Sequence, residues 1–312
     1  MARDAIAIVG PTASGKSAVA VEVARRIGGE VVSVDSRQVY CGMDIGTAKP
    51  SMAERGGVPH HGFDLVDPDE RYSAGRFARA AWQWIDEIRA RGRVPVLAGG
   101  TGFFLRALTR PMFDEPAAPD ARREALKQVL CRLDAGDLVR WAAALDPEGG
   151  WDAERGGGRQ RAARAVEVAL LTGRPLTWWH RQPTEGRTLV PLVFVLELPR
   201  AVLYERIDRR VDAMIDNGLV AEVATLIERG HTPQDPGLSA TGYAEIVRHL
   251  DGTDDLATAR QRMSTATRQY ARRQITWFRN QLVEDAMRVD ATAPVAAIAD
   301  VIVREWSREE RA

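Results

Sequence analysis

Along the first hundred residues, short unbroken apolar runs alternate with longer stretches whose apolar positions recur every three to four residues. "AIAIV", Ala5–Val9, has the length and character of a strand buried on both faces. The next stretch, Ser17–Ile27, reads as a helix closed by Gly28-Gly29. "EVVSVDS" is a second valine-rich strand. Ser73 can cap a helix over Ala74–Arg91, which places Phe77, Ala81, Trp84, Ile85 and Ile88 on one face and ends at Gly92. "VPVLAGGTG" is a third strand that runs into a glycine loop. Repeated strand–helix–strand units predict a parallel sheet covered on both faces. Ligands of such sheets sit beyond the carboxyl ends of the strands. Gly10–Ser17, Asp35-Ser36 and Gly99–Gly102 should therefore converge on one crevice.

From about Pro111 the pattern changes. "RPMFDEPAAPD" reads as a proline-rich hinge, and Asp120–Leu171 as helices without a strand, interrupted by "RGGGR". "LVPLVFVLELP", Leu189–Pro199, is again a buried strand that returns the chain to the sheet, and the remainder reads as helix and loop. The predicted division is a core of residues 1–110 and 189–312 with a helical insertion over 111–188.

Composition adds limits. Of 312 residues, 45% are apolar and 28% charged, ordinary for a globular protein. Lys and Arg (43) balance Asp and Glu (43), so any surface for a polyanion must be local. Two cysteines, Cys41 and Cys131, form neither a disulfide framework nor a zinc pattern, which suits a reducing, cytoplasmic setting. No apolar run approaches the roughly 20 residues of a membrane span, and nothing points to an obligate dimer, so a monomer is expected.

The chemistry begins at "GPTASGKS". Gly10, Gly15, Lys16 and Ser17 meet the spacing of a phosphate-binding loop between strand and helix. Its backbone N–H groups face phosphate oxygens, the helix dipole adds positive potential, Lys16 brings a mobile charge, and Ser17 a hydroxyl for Mg2+. The fold class is therefore α/β: a parallel-sheet core like those of phosphate-loop nucleoside-triphosphate hydrolases, with a helical insertion domain. Asp35 ends the second strand, where it can help to hold Mg2+ through water or cap a turn. Ser36, Arg37, Gln38 and Tyr40 follow it and can read a base edge. Thr101 stands at a glycine-flanked strand end, open to the phosphates, whereas Phe103 and Phe104 read as core. His60-His61 reads as a turn beside a strand rather than a metal site, since no third ligand is apparent. Trp178-Trp179-His180 reads as helix packing.

Between Leu256 and Val283 there is no acidic residue, while Arg260, Arg262, Arg268, Arg272, Arg273 and Arg279 are basic, with Tyr270, Trp277 and Phe278 interleaved. Such a segment in a neutral chain suits a nucleic-acid track. Arg155, Arg159, Arg161 and Arg164 make a second basic group in the insertion. These residues alone leave open a small-metabolite kinase and a nucleotide-gated RNA-binding protein without chemistry.

Taken together, "GPTASGKS", "SVDSRQVYCGMDIGTAKP", "DLVDP", "GGTGFFLRAL", "ERIDRRVDAMIDNGLVAEV", "ATGYAEI" and "ATRQYARRQITWFR" resemble the tRNA dimethylallyltransferases over nearly the whole chain. The resemblance implies dimethylallyl diphosphate and a tRNA anticodon stem-loop as substrates, with Mg2+ as metal. The acceptor would be N6 of the adenine 3′ of the anticodon. It implies Asp35 as general base, Thr101 as an orienting hydroxyl and Arg210 as a leaving-group cation. Gly10, Pro11, Thr12, Ala13, Ser14, Gly15, Lys16 and Ser17 would bind the diphosphate, with Ser17 at the metal. The implied tRNA contacts are Asp35, Ser36, Arg37, Gln38, Thr101, Arg122, Gln160, Arg161, Arg164, Gly242, Tyr243, Arg272, Arg273, Gln274, Trp277 and Arg279. Cys41 departs from the family pattern, which commonly has a basic residue there. Glycines 156–158 depart from its Asn-containing approach, and Ser239 stands where some relatives have Arg.

Overall fold

The structure, a computed structural model, describes residues 3–110, 120–151, 158–182, 186–282, 285–309 and 311. Its apolar runs become strands because neither face can be given to water. β1 (Ala5–Val9), β2 (Glu30–Ser33), β3 (His60–His61), β4 (Pro95–Gly99), β5 (Pro191–Glu197) and β6 (Met287–Asp290) pair in the order β3-β2-β4-β1-β5-β6. Every pairing is parallel. Successive side chains point to opposite faces. Ala5, Ala7 and Val9 thus join one buried cluster, with Leu97, Val193 and Val195. Ile6 and Ile8 join the other, with Val96, Phe194 and Leu196.

The first face is covered by helices that include Ala74–Ala90, Gly102–Thr109, Arg200–Asp216 and Leu256–Gln281. Lys16–Ile27 and Val295–Glu309 cover the second. The Ser73 hydroxyl caps Ala74–Ala90 by accepting the Arg76 N–H at 3.1 Å. Phe77, Ala81, Ile85 and Ile88 of that helix are fully buried, as their spacing predicts, while Trp84 is partly buried.

Two edge strands depart from the sequence reading. His60-His61, expected as a turn, pairs with Val31 and Val32 of β2. "MRVD" lies in a region expected to be helix and loop but pairs with β5 as β6. Both are short and half exposed, so neither presents the continuous apolar run that marks a buried strand.

Residue contacts divide the chain into two compact units, Met1–Arg110 with Thr188–Ala312, and Pro111–Arg187. Among its described residues, the second unit contains only helices, with its own core of Leu130, Leu138, Ala142, Ala162, Val166 and Leu176. Residues 111–119 of the hinge, and 152–157 with most of the glycine run, lie outside the described residues. No described helix is long and apolar enough to cross a membrane.

At the amino end of β2 the Glu30 carboxylate is almost wholly buried. It accepts hydrogen bonds from Arg91 (2.8 and 2.9 Å) and Arg93 (3.2 Å), and its Oε2 lies 2.7 Å from His61 Nε2. Burial alone would raise its pKa, but the hydrogen bonds from Arg91 and His61 overcome it and hold the group near 2, below its ordinary 4.5. This depressed carboxylate contributes stability that is present above pH 4.5 and lost as the pH falls through about 2. Glu30→Gln should therefore lower the unfolding free energy by about 3 kcal/mol at neutral pH, because Arg91 and Arg93 lose their anion. Urea denaturation across pH should show a flatter acid limb in the variant; an unchanged limb would remove Glu30 from the account.

Candidate active site

The phosphate loop follows β1 directly. A Cβ on Gly10 would lie 2.7 Å from the Leu196 carbonyl oxygen, and its φ of 151° is one that side-chain-bearing residues rarely adopt. Ala13 enters the left-handed region at φ 62°. Gly15, at φ 89°, then starts the Lys16–Ile27 helix. The Pro11 carbonyl accepts the Ser14 N–H at 3.3 Å and the Lys16 ammonium at 2.6 Å, so the loop curls around its own lysine. The Ser14 hydroxyl is buried without a protein partner.

Two more strand ends arrive beside it. A Cβ on Gly99 would lie 2.0 Å from the Val34 carbonyl oxygen, so only glycine lets β2 and β4 close at this point. Val34 O accepts the Thr101 N–H at 3.1 Å, and Thr101 Oγ1 accepts the Ser36 N–H at 2.9 Å. The Thr101 hydroxyl donates to Ser36 Oγ at 3.2 Å. Asp35 lies between Val34 and Ser36 in sequence, with one carboxylate oxygen accepting the Arg37 N–H at 2.9 Å.

Thr12, Lys16, Ser17, Asp35 and Gly99 from these strand ends line one cleft of about 300 Å³. Lys16, Ser17, Asp35 and Arg210 supply its charged and hydroxyl-bearing side, while Ile207, Val211, Met214 and Met263 supply an apolar wall. Burial lowers the Lys16 pKa to about 7; the Asp35 carboxylate opposes the shift and Arg210 adds to it. Arg210 is likewise pushed down by burial and held up by Asp35. The Tyr270 phenol, also in the cleft, is raised to about 12 by burial and by Asp35, against a hydrogen bond with Thr101. A confined carboxylate, two cations and an apolar wall can hold an anionic head and a short hydrocarbon, and accept a proton beside them.

The chain is similar to proteins of one family. The family model described as "IPP transferase" matches residues 38–281, and that of "Isopentenyl transferase" matches residues 3–59. The chain belongs to the IPP transferase family. It is 47% identical to a tRNA dimethylallyltransferase of Halorhodospira halophila, covering 90% of this chain and 91% of that one. A tRNA isopentenylpyrophosphate transferase structure from Bacillus halodurans matches 99% of both chains at 34% identity and TM-score 0.70. A eukaryotic dimethylallyltransferase acting on tRNA matches 93% of this chain and 74% of its own at 28% identity and TM-score 0.79. Membership in the IPP transferase family makes this chain a prenyltransferase enzyme.

Several residues expected to touch RNA in this IPP transferase are committed to the protein interior. The Tyr243 ring is fully buried, and its hydroxyl donates to Glu222, which also accepts the N–H groups of Asp44, Ile45 and Gly46. Gly242 is buried beside it, although it lines the cleft. The Gln38 amide accepts from Ser33 and donates to the carbonyls of Thr47 and Ala48. Gln274 accepts the Thr12 N–H at 2.8 Å and donates to the Gly100 carbonyl at 2.9 Å, bracing two loops of the site. The acid-free helix finds its acids elsewhere: Arg260 pairs with Asp212, Arg268 with Asp208, and Arg262 with Asp254. Arg272, Arg273 and Arg279 remain exposed. Arg272 lies 6.0 Å from the Tyr204 ring centroid, while Arg273 lines the cleft.

In the second unit, Arg122 and Gln160 are exposed. Arg161 lies 5.0 Å over the Trp151 ring, and Arg164 pairs with Glu167. Arg159 caps the end of Asp120–Arg132 by donating to the carbonyls of Leu130, Cys131 and Leu133. Arg155 lies outside the described residues. Phe104 is buried as expected, but Phe103 is exposed. The apolar wall escaped the sequence reading, although Ile207, Val211 and Met214 share the helical face that carries Arg210. That period was its available signal.

The depressed Lys16 predicts coupled proton uptake. An anion at the loop favours charged Lys16, so diphosphate affinity should fall as the pH rises through about 7. Calorimetry at about pH 8 in buffers of different ionisation heat should register this uptake, and Lys16→Met should reduce it. Equal uptake in both proteins would contradict the assignment.

Proposed function

We propose that this cleft transfers a dimethylallyl group from dimethylallyl diphosphate to N6 of the adenine at position 37, 3′ of the anticodon, in tRNAs reading codons that begin with U. The observation that carries the reading is the meeting of the phosphate loop, Arg210 and Asp35 with an apolar wall in one cleft. The similarity to enzymes named for dimethylallyl transfer to tRNA supports the choice of substrates.

In this reading the C1–O bond of the allyl diphosphate breaks as the N6–C1 bond forms. Negative charge gathers on the departing diphosphate, where the loop N–H groups, Lys16 and Arg210 stabilise it. The hydrocarbon lies against Ile207, Val211 and Met214, which exclude water from the developing allyl cation. Adenine N6 is a weak nucleophile because its lone pair is delocalised into the ring. Asp35 accepts the N6 proton, and Thr101 orients the base through a hydroxyl fixed by Ser36. The adenine must swing out of the loop to reach this depth.

The hydroxyl of Ser17 is a hard oxygen donor on the cleft, beside the phosphate loop, which suits Mg2+ held jointly with diphosphate oxygens. Bound there, Mg2+ would neutralise diphosphate charge. Among the described residues no group of three or more His, Cys, Asp or Glu side chains forms a separate metal site.

Mass addition to an unmodified anticodon stem-loop, given dimethylallyl diphosphate and Mg2+, tests the reaction itself. Asp35→Asn tests the assigned base: binding of both substrates should persist while the single-turnover rate falls by about 10²–10⁴. Recovery of that rate at high Mg2+ would instead make Asp35 a metal residue.

A further inference from the structure

The Gly102–Thr109 helix is packed on most sides, with Phe104, Leu105, Ala107 and Leu108 buried. Phe103, Arg106 and Arg110 remain exposed. Phe103 and Arg106, three residues apart, share one helical stripe, and Arg110 follows as the residue that ends the helix. Phe103 is 62% exposed although it stands only two residues beyond Thr101, whose hydroxyl meets Ser36 and the cleft residue Tyr270.

Trp277 of Leu256–Gln281 faces this stripe. Its ring occupies the space that a side chain on Gly102 would fill, 2.2 Å from an added Cβ. Its ring centroid is 6.1 Å from that of Phe103, with the planes tilted by 54°. Trp277 also lines a cavity of about 170 Å³ with Leu105, Arg106, Thr109 and Arg110.

The charge beside this aromatic pair differs from that of the rest of the arginine helix. Arg260, Arg262 and Arg268 are paired with carboxylates. Among the described residues no carboxylate pairs with Arg106, Arg110, Arg273 or Arg279. A single exposed phenylalanine is unremarkable on any surface. One held against a fixed indole and bordered by guanidinium groups without a carboxylate partner has the chemistry of a single-strand RNA platform.

Resting on the tRNA reading above, we propose that Phe103 and Trp277 form a stacking platform for an unpaired loop base immediately beside the target adenine. Extruding one base strips its neighbour of a stacking partner, and the exposed Phe103 face replaces it. Arg106 on the same stripe and Arg110 at the helix end take the phosphates leading away. Since an aromatic ring stacks on any base, the platform contributes affinity and register rather than sequence choice.

The test is stem-loop RNA binding by wild type, Phe103→Ala and Phe103→Trp. Alanine should weaken binding by at least about fivefold, the lower end for a base–aromatic stack, while tryptophan should retain it. Diphosphate binding and thermal stability should not move, because the Phe103 ring is exposed. An RNA made abasic on one side of the target adenine should lose the same factor with wild type and nothing more with Phe103→Ala. Wild-type RNA affinity in Phe103→Ala, or a loss undiminished with abasic RNAs on either side, would overturn the platform. If wild type still prenylates the stem-loop in that case, only the platform falls; if it neither binds nor prenylates the RNA, both readings fall.

Discussion

The site depends on the closure of β2 against β4. With a Cβ on Gly99 the Val34 carbonyl would be 2.0 Å away, so any side chain would force the two strand ends apart. The closure delivers the Thr101 N–H to Val34 and the Thr101 hydroxyl to Ser36. Thr101 is thereby fastened beside Asp35, a residue of the cleft 66 positions earlier in number order. Parallel strands cannot be joined tightly at their carboxyl ends by a hairpin, and an approach of this kind substitutes for one.

Gln274 extends the same logic to the C-terminal helix. Its buried amide has one donor and one acceptor engaged with separate loops, Gly100 and Thr12. The helix that carries Tyr270 and Arg273 into the cleft is thus tied to both the phosphate loop and the Thr101 loop. A buried amide with its partners satisfied specifies one arrangement, because any displacement would leave polar groups unpaired.

Charge is the second organising constraint. The chain is neutral overall, yet the cleft gathers Lys16 and Arg210 where water is scarce, and only Asp35 relieves them. Burial of like charges stores a preference for an anion, which an arriving diphosphate satisfies. On the arginine helix the opposite occurs. Asp208 and Asp212 from Arg200–Asp216 neutralise part of the row, leaving a smaller set of guanidinium groups available to a polyanion.

The sequence by itself determined the phosphate loop, the four buried strands and the place where helices replace strands. Each is a local property: glycine spacing, apolar period or its absence. It also brought Asp35 and Thr101 to the same side of the sheet, since parallel strands share a carboxyl edge. Tertiary structure alone decided the rest. β3 and β6 exist because a neighbouring strand offers hydrogen bonds, not because their own residues demand burial. Tyr243, Gln38 and Gln274 look like surface polar residues in a motif, but partners on other segments turn them inward. Phe103 looks like core and is not, because its position on an eight-residue helix points away from the sheet. The arginine helix has no acid within itself, and only helix packing brings one. Pairing, burial and charge compensation are relations between segments, and no single segment carries them.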